Sequence, residues 1–222
     1  MIEWLKESPA NMLSLVTIFI SVLSIGITIG LSWHQTHISK KQSLFDKKLK
    51  CYSIFNELMN NCNIINSYDD FKFLDSITGV QKLLLELTWT KSLSRLSIFI
   101  KNLYTEIDFQ KVTEIFEEYD MYTNEFSLIF PKDISKSLFD FINIYFDLLG
   151  KCFTVHDNFV KEGMKHLDFN GKYIYEDFSV DYKQKEEANL KDIKENCGNL
   201  LKMYNEFKKI NFDNKIKNNI KL

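Results

Sequence analysis

Residues Met12 to Trp33 (MLSLVTIFISVLSIGITIGLSW) run for 22 residues without a charge, and no other segment constrains the fold of this chain as strongly. At 1.5 Å per residue a helix of that length reaches about 33 Å, against about 30 Å for the hydrocarbon core of a bilayer. A single transmembrane helix over residues 12–33 is therefore predicted. A cleaved signal peptide needs a basic leader, a shorter apolar stretch and a small-residue cleavage site. Here the leader carries Glu3, Lys6 and Glu7, and no such site follows. The expectation is an uncleaved signal anchor preceded by a short tail, residues 1–11. Lys40, Lys41, Lys47, Lys48 and Lys50 follow the run, whereas Lys6 alone precedes it. Positive-inside sorting then puts the N-terminus outside the inner (plasma) membrane and the C-terminal side in the cytoplasm. Trp4 and Trp33 sit where aromatic side chains favour the interface.

Within the run Ser14, Thr17, Ser21, Ser24 and Thr28 are spaced by three and four, which lines their hydroxyls along one helix face. Gly26 and Gly30 form a GxxxG pair, expected on an adjacent face. Lipid offers no hydrophobic drive between helices, so small residues and hydroxyls are what hold membrane helices together. Self-association into a homo-oligomer through the span is one expectation. The other is that the hydroxyls bond back to their own helix and face lipid.

A juxtamembrane amphipathic helix is expected over residues 34–65. Ile38, Phe45, Leu49, Tyr52, Phe55, Met59 and Cys62 recur close to every 3.5 residues, with no Gly or Pro between them. Such a helix either packs onto the following domain, the favoured outcome, or pairs with a second chain as a short parallel coiled coil. Lys40, Lys41, Lys47 and Lys48 cluster where they can meet anionic headgroups of the lipid bilayer, or can serve as a solvated face.

About 175 residues remain, enough for one domain with its own core. The chain has 19 Phe and 10 Tyr but only 7 Gly and 2 Pro, so long helices with large core side chains are expected rather than many turns. Fold class is read as mainly all-α: a cytoplasmic bundle of four to five helices over residues 66–210, followed by a flexible lysine-rich tail, 211–222. The expected helices run from Val80 to Ile107, from Phe109 through Phe126 behind an Asp108 cap, and from Asp133 or Ser135 to about Lys165. A last one runs from Lys185 to Lys209. Asn170-Gly171, between Leu167 and Phe169 on one side and Tyr173 and Tyr175 on the other, signals a small β-hairpin or ordered loop near residues 167–176. Glu106, Asp108, Glu114, Glu117, Glu118, Asp120 and Glu125 make one helix acidic, with Lys111 as the sole counter-charge. That face can be a docking surface for a cytoplasmic protein partner or a solvated face.

Chemistry is hard to find. No GxxxxGK[ST], GxGxxG, GxSxG or HExxH is present, so no nucleotide or other cofactor is expected. Cys51, Cys62, Cys152 and Cys197 form no CxxC pair and read as buried thiols. A formal net charge of −2 argues against nucleic acid as a partner. The nearest approach to a site is His156, Asp157, Glu162 and His166, in which Glu162 and His166 share a helix face and could hold a metal. No further histidine of the domain completes a set, and surface histidine is the better reading. Arg95 is the one arginine among 28 basic residues, the bias of an AT-rich, bacterial genome.

A short outer tail, one span and a lysine-flanked helix reading FDKKLKCYSIFNEL (Phe45 to Leu58) resemble small membrane-anchored helical proteins of bacteria, including phage abortive-infection proteins. The resemblance covers about residues 12 to 60 and implies a non-enzymatic, membrane-anchored component of antiviral defence that acts by self-association. A tethered adaptor or scaffold, and a metal-dependent hydrolase using the histidine and carboxylate cluster, are the competing expectations.

Overall fold

The computed structural model describes residues 9–68, 71–96, 109–167 and 173–220. Every named element among them is helical: α1 (Pro9–Asn66), α2 (Ile77–Thr88), α3 (Phe109–Ile129), α4 (Lys132–Gly163), α5 (Val180–Lys209) and α6 (Phe212–Ile220). Two 3-10 turns (Phe71–Asp75 and Tyr175–Asp177) complete the set. The all-α expectation holds. The chain divides into two compact units, residues 1–46 and residues 47–221.

The first unit is the outer part of α1. From Leu13 to Leu44 its large apolar side chains are exposed, Leu23, Ile25 and Ile29 by 50–65%. One stretch, of mean hydropathy 2.2 and with no buried residue, is long and apolar enough to cross a bilayer.

The second unit is built around α4, which packs against α2, α3 and α5. Its helical repeat buries Leu138, Phe141, Ile142, Tyr145, Leu148, Leu149, Cys152 and Phe153. The inner part of α1 joins this core through Cys51, Phe55, Leu58, Cys62 and Ile65, all at most 1% exposed. Phe55 is the meeting point of four helices: its ring lies 5.7 Å from Phe141, 5.9 Å from Phe207 and 5.8 Å from Phe212. The second half of the juxtamembrane helix therefore packs onto the domain as expected. Ile38 and Leu44 remain 42% and 43% exposed.

Several boundaries differ from expectation, each for a local reason. The helix expected from Val80 to Ile107 starts at Ile77, behind a Ser76 cap that accepts from Gly79 N, and stops at Thr88. Thr90 Oγ1 accepts the Leu93 N–H at 3.0 Å, and Glu57, reaching across from α1, accepts from Ser92 N at 3.2 Å and Ser92 Oγ at 2.5 Å. These bonds give the backbone partners outside a helix. Residues 97–108, including Glu106 and the expected Asp108 cap, lie outside the described residues. Gly79 is required by contact, since a Cβ there would sit 1.6 Å from Phe73 O.

Neither Asp133 nor Ser135 caps α4. Pro131 occupies the cap position without a side-chain bond, its carbonyl taking the N–H groups of Ile134 and Ser135. Of the expected hairpin or ordered loop the described residues show one antiparallel bridge, Leu167 to Tyr173, with Asn170 and Gly171 outside the described residues. Beyond it Tyr175 opens a 3-10 turn. Helix α5 starts at Val180 rather than Lys185, because Ser179 Oγ accepts from Tyr182 N at 3.2 Å. The lysine-rich tail is not frayed over its described length. Asn211 takes a left-handed φ of 52°, which turns the chain so that α6 can bury Phe212, Ile216 and Ile220.

Candidate functional sites

Along the apolar part of α1 three stripe hydroxyls satisfy themselves. Thr17 Oγ1 donates to Leu13 O at 2.9 Å, Ser21 Oγ to Thr17 O at 2.8 Å and Thr28 Oγ1 to Ser24 O at 2.8 Å. Bonds of this kind let a hydroxyl face lipid at little cost and leave its oxygen able to accept from a neighbouring helix. Helical geometry, at 100° per residue, also corrects the placing of the glycines. Gly26 and Gly30 fall on the side of α1 opposite Ser14, Thr17, Ser21, Ser24 and Thr28 rather than beside it. A Cβ at either glycine would meet nothing within 4 Å.

The four lysines expected to form one headgroup patch divide in two. Lys47 Nζ donates to Glu125 Oε1 at 3.1 Å and Lys48 Nζ to the Asn219 carbonyl at 2.6 Å. Lys50 Nζ donates to Tyr122 Oη at 2.7 Å, which raises its pKa above the ordinary lysine value. Together these three lysines fasten the start of the second unit to α3 and α6. Lys40 and Lys41 are exposed and make no such contact among the described residues.

The acidic face of α3 is partly engaged as well. Glu118 pairs with Arg95 at 2.5 Å and Glu125 with Lys47, which leaves Glu114, Glu117 and Asp120 on the solvent side.

The histidine and carboxylate cluster does not converge. His156 is fully buried, and its Nδ1 meets Gln81 Nε2 at 3.2 Å. Its Nε2 has no hydrogen-bond partner among the described residues. Burial holds its pKa below the ordinary imidazole value of 6.5, with Asp157 pulling in the opposite direction. Asp157 is salt-bridged to Lys161 at 2.7 Å. Glu162 lies on another side of α4, where it accepts from Lys165 Nζ at 2.7 Å and Ser179 N at 3.1 Å. Those bonds, the lysine's first, bring its pKa down to about 2. Glu162 thus joins the end of α4 to the start of α5. His166 Nε2 is 3.9 Å from Glu162 Oε1, and its ring lies 5.7 Å from that of Phe178. Among the described residues no group of three or more His, Cys, Asp and Glu side chains is placed to hold a metal ion.

A cleft of about 560 Å³ beside α4 and α5 is lined by Lys161, Lys165 and Lys185 together with Glu162, Asp181 and Glu186. Each lysine pairs with a carboxylate, to Asp157, Glu162 and Asp181 at 2.6–2.7 Å, so the cleft offers no unpaired lysine to a ligand, and Glu186 accepts from Tyr175 Oη at 2.7 Å.

The aromatic residues around the expected hairpin pack on one another rather than forming an open patch. Phe178 is 3% exposed, and the rings of Phe159, Tyr175 and Tyr182 lie within 5.1–5.6 Å of it. Gly163 makes room for this closure, because a Cβ there would come within 2.7 Å of the Tyr173 ring.

One polar node was not anticipated from the sequence. Asn61 Nδ2 donates to Leu87 O at 3.0 Å and to Tyr145 Oη at 2.8 Å, while Tyr145 Oη donates to the same carbonyl at 2.6 Å. Three helices, α1, α2 and α4, are pinned by one satisfied network at a helix C-terminus, where a carbonyl would otherwise be orphaned. An Asn inside an apolar repeat, as Asn61 is beside Leu58, Cys62 and Ile65, is the signal that could have exposed it. The four cysteines are free and buried. Desolvation pushes the Cys51 and Cys197 thiols up to about 12 and those of Cys62 and Cys152 upward as well, leaving them inert as nucleophiles.

Fold and sites together define an all-α domain that shares its first helix with a segment apolar enough to cross a bilayer. No protein-family model matches the chain, and no curated protein or solved structure matches it.

Proposed function

We propose that the protein is a non-enzymatic, membrane-anchored helical effector or sensor of the bacterial inner membrane, with residues 12–33 as its span and the helical domain in the cytoplasm. The observation that carries this reading is the dual use of α1. The same helix holds an uncharged stretch with no buried side chain and then delivers Cys51, Phe55, Leu58, Cys62 and Ile65 to the domain core. One helix thus carries both the proposed span and part of the domain core. The lysines after residue 33 support the orientation. The engagement of His156, Asp157 and Glu162 in packing and caps supports a non-catalytic role. The resemblance to abortive-infection proteins supports membrane perturbation in phage defence as its use.

Inducible expression in a bacterial host tests this. The intact chain is expected to arrest growth and depolarise the membrane, and a chain lacking residues 1–46 to do neither. Equal toxicity of the two forms would remove the membrane from the mechanism. Absence of depolarisation with either form would transfer the reading to a tethered adaptor, whose cytoplasmic partner should co-purify in mild detergent.

A further inference from the structure

We infer that α1 pairs in parallel with α1 of a second copy of this chain, along a seam that runs unbroken from the bilayer into the water. The inference rests on the anchored reading above, because two copies inserted with the same topology must lie parallel. The three-and-four rhythm of the hydroxyl stripe ends at Thr28 and continues in the same register as Leu31, Gln35, Ile38, Gln42 and Phe45. A repeat of seven sustained across that length keeps one face of the helix in line to meet the same face of a second helix.

Leu31 and Ile38 on this face are 58% and 42% exposed, and Phe45 at its end is half-buried. Within the bilayer the seam is small and hydroxylated, allowing close approach, and the back-bonded oxygens can still accept from a neighbour. Beyond the bilayer Ile38 and Phe45 alternate with Gln35 and Gln42, polar residues of the kind that fix register and strand number in a coiled coil.

Charge names the partner. In a parallel pair the residue just before the Gln42 position faces the residue just after the Phe45 position of the other helix. Here that sets Lys41 against Asp46 of the second copy, and neither residue has an ion-pair partner among the described residues. The seam leaves Gly26 and Gly30 on the lipid side, so the GxxxG pair is not the contact.

Single cysteines introduced into the full chain, oxidised in isolated membranes with copper phenanthroline, test this. The four native cysteines are buried and contribute little background. Gln35→Cys, Ile38→Cys and Gln42→Cys are expected to give disulfide-linked dimer, and His37→Cys and Lys40→Cys, on the far side of the helix, to stay near baseline. Lys41→Glu in the Gln42→Cys background should lower the yield about two-fold, the size expected of an exposed ion pair, and adding Asp46→Lys should restore it. Crosslinking that is even around the helix, absent at all five positions or confined to residues 37 and 40 would overturn the seam. Recovery of the chain outside the membrane pellet would instead overturn the anchored reading, so the two failures are distinguishable.

Discussion

Residues 13–46 and residues 51–65 belong to one helix, yet they obey different rules. In the outer segment Ile25, Ile29 and Ile38 are exposed; in the inner one Phe55, Leu58 and Cys62 are sealed by α4, α5 and α6. Backbone propensity does not distinguish the two. What differs is the surroundings: a folded core for the second segment, and no buried side chain over the apolar stretch of the first. The contrast teaches that an amphipathic repeat reports a buried face without reporting what buries it. The lysines at the junction, Lys47, Lys48 and Lys50, mark where one regime gives way to the other, because each is spent on a contact within the domain.

The sharpest way to break this comparison is to truncate one side chain in each segment and read domain stability by urea denaturation in detergent. Phe55→Ala should cost about 3–5 kcal/mol, as expected of a large aromatic removed from a sealed core. Leu44→Ala, at 43% exposure, should change stability by less than about 0.5 kcal/mol. Equal effects would mean that the helix is not divided as described. Next in size, Asn61→Ala should cost about 1–3 kcal/mol, since the network at Leu87 O loses a member in a dry site.

A pH effect should follow from His156. Its folded-state pKa is depressed, so below pH 6.5 the unfolded chain takes up a proton that the native state resists, and stability should fall between pH 7 and pH 5. His156→Leu should flatten that slope, and an unchanged slope would place the titration elsewhere. The smallest effect belongs to the junction. Lys47→Ala should cost about 0.2–1 kcal/mol in low salt and less in high salt, because its partner Glu125 is solvent-exposed.

The apolar run, the helical class, the boundary at Pro131 and the buried thiols were legible because each depends on local composition or period. The stop at Thr88 was not, because Glu57, which captures Ser92, lies 35 residues away in the chain. Helix α6 was within reach. Phe212, Ile216 and Ile220 recur every four residues, but three apolar positions among lysines and asparagines are a faint signal beside a polar average. Asn170-Gly171 pointed to a hairpin or ordered loop, and among the described residues the pairing is the Leu167 to Tyr173 bridge, with the Tyr173 ring against Phe159 and the Tyr175 ring against Phe178. At the sites, sequence spacing grouped His156 with Glu162. On α4 the two face different neighbours, Gln81 for one and Ser179 for the other.

The account depends most directly on α1 being membrane element and core element at once, and site-resolved labelling of thiols in native membranes by a water-soluble maleimide measures this. Leu44→Cys should label without denaturant, native Cys51 and Cys62 only once urea opens the domain, and Ile25→Cys under neither condition. Labelling of Ile25→Cys as fast as Leu44→Cys, or of Cys51 and Cys62 in the absence of urea, would contradict the account.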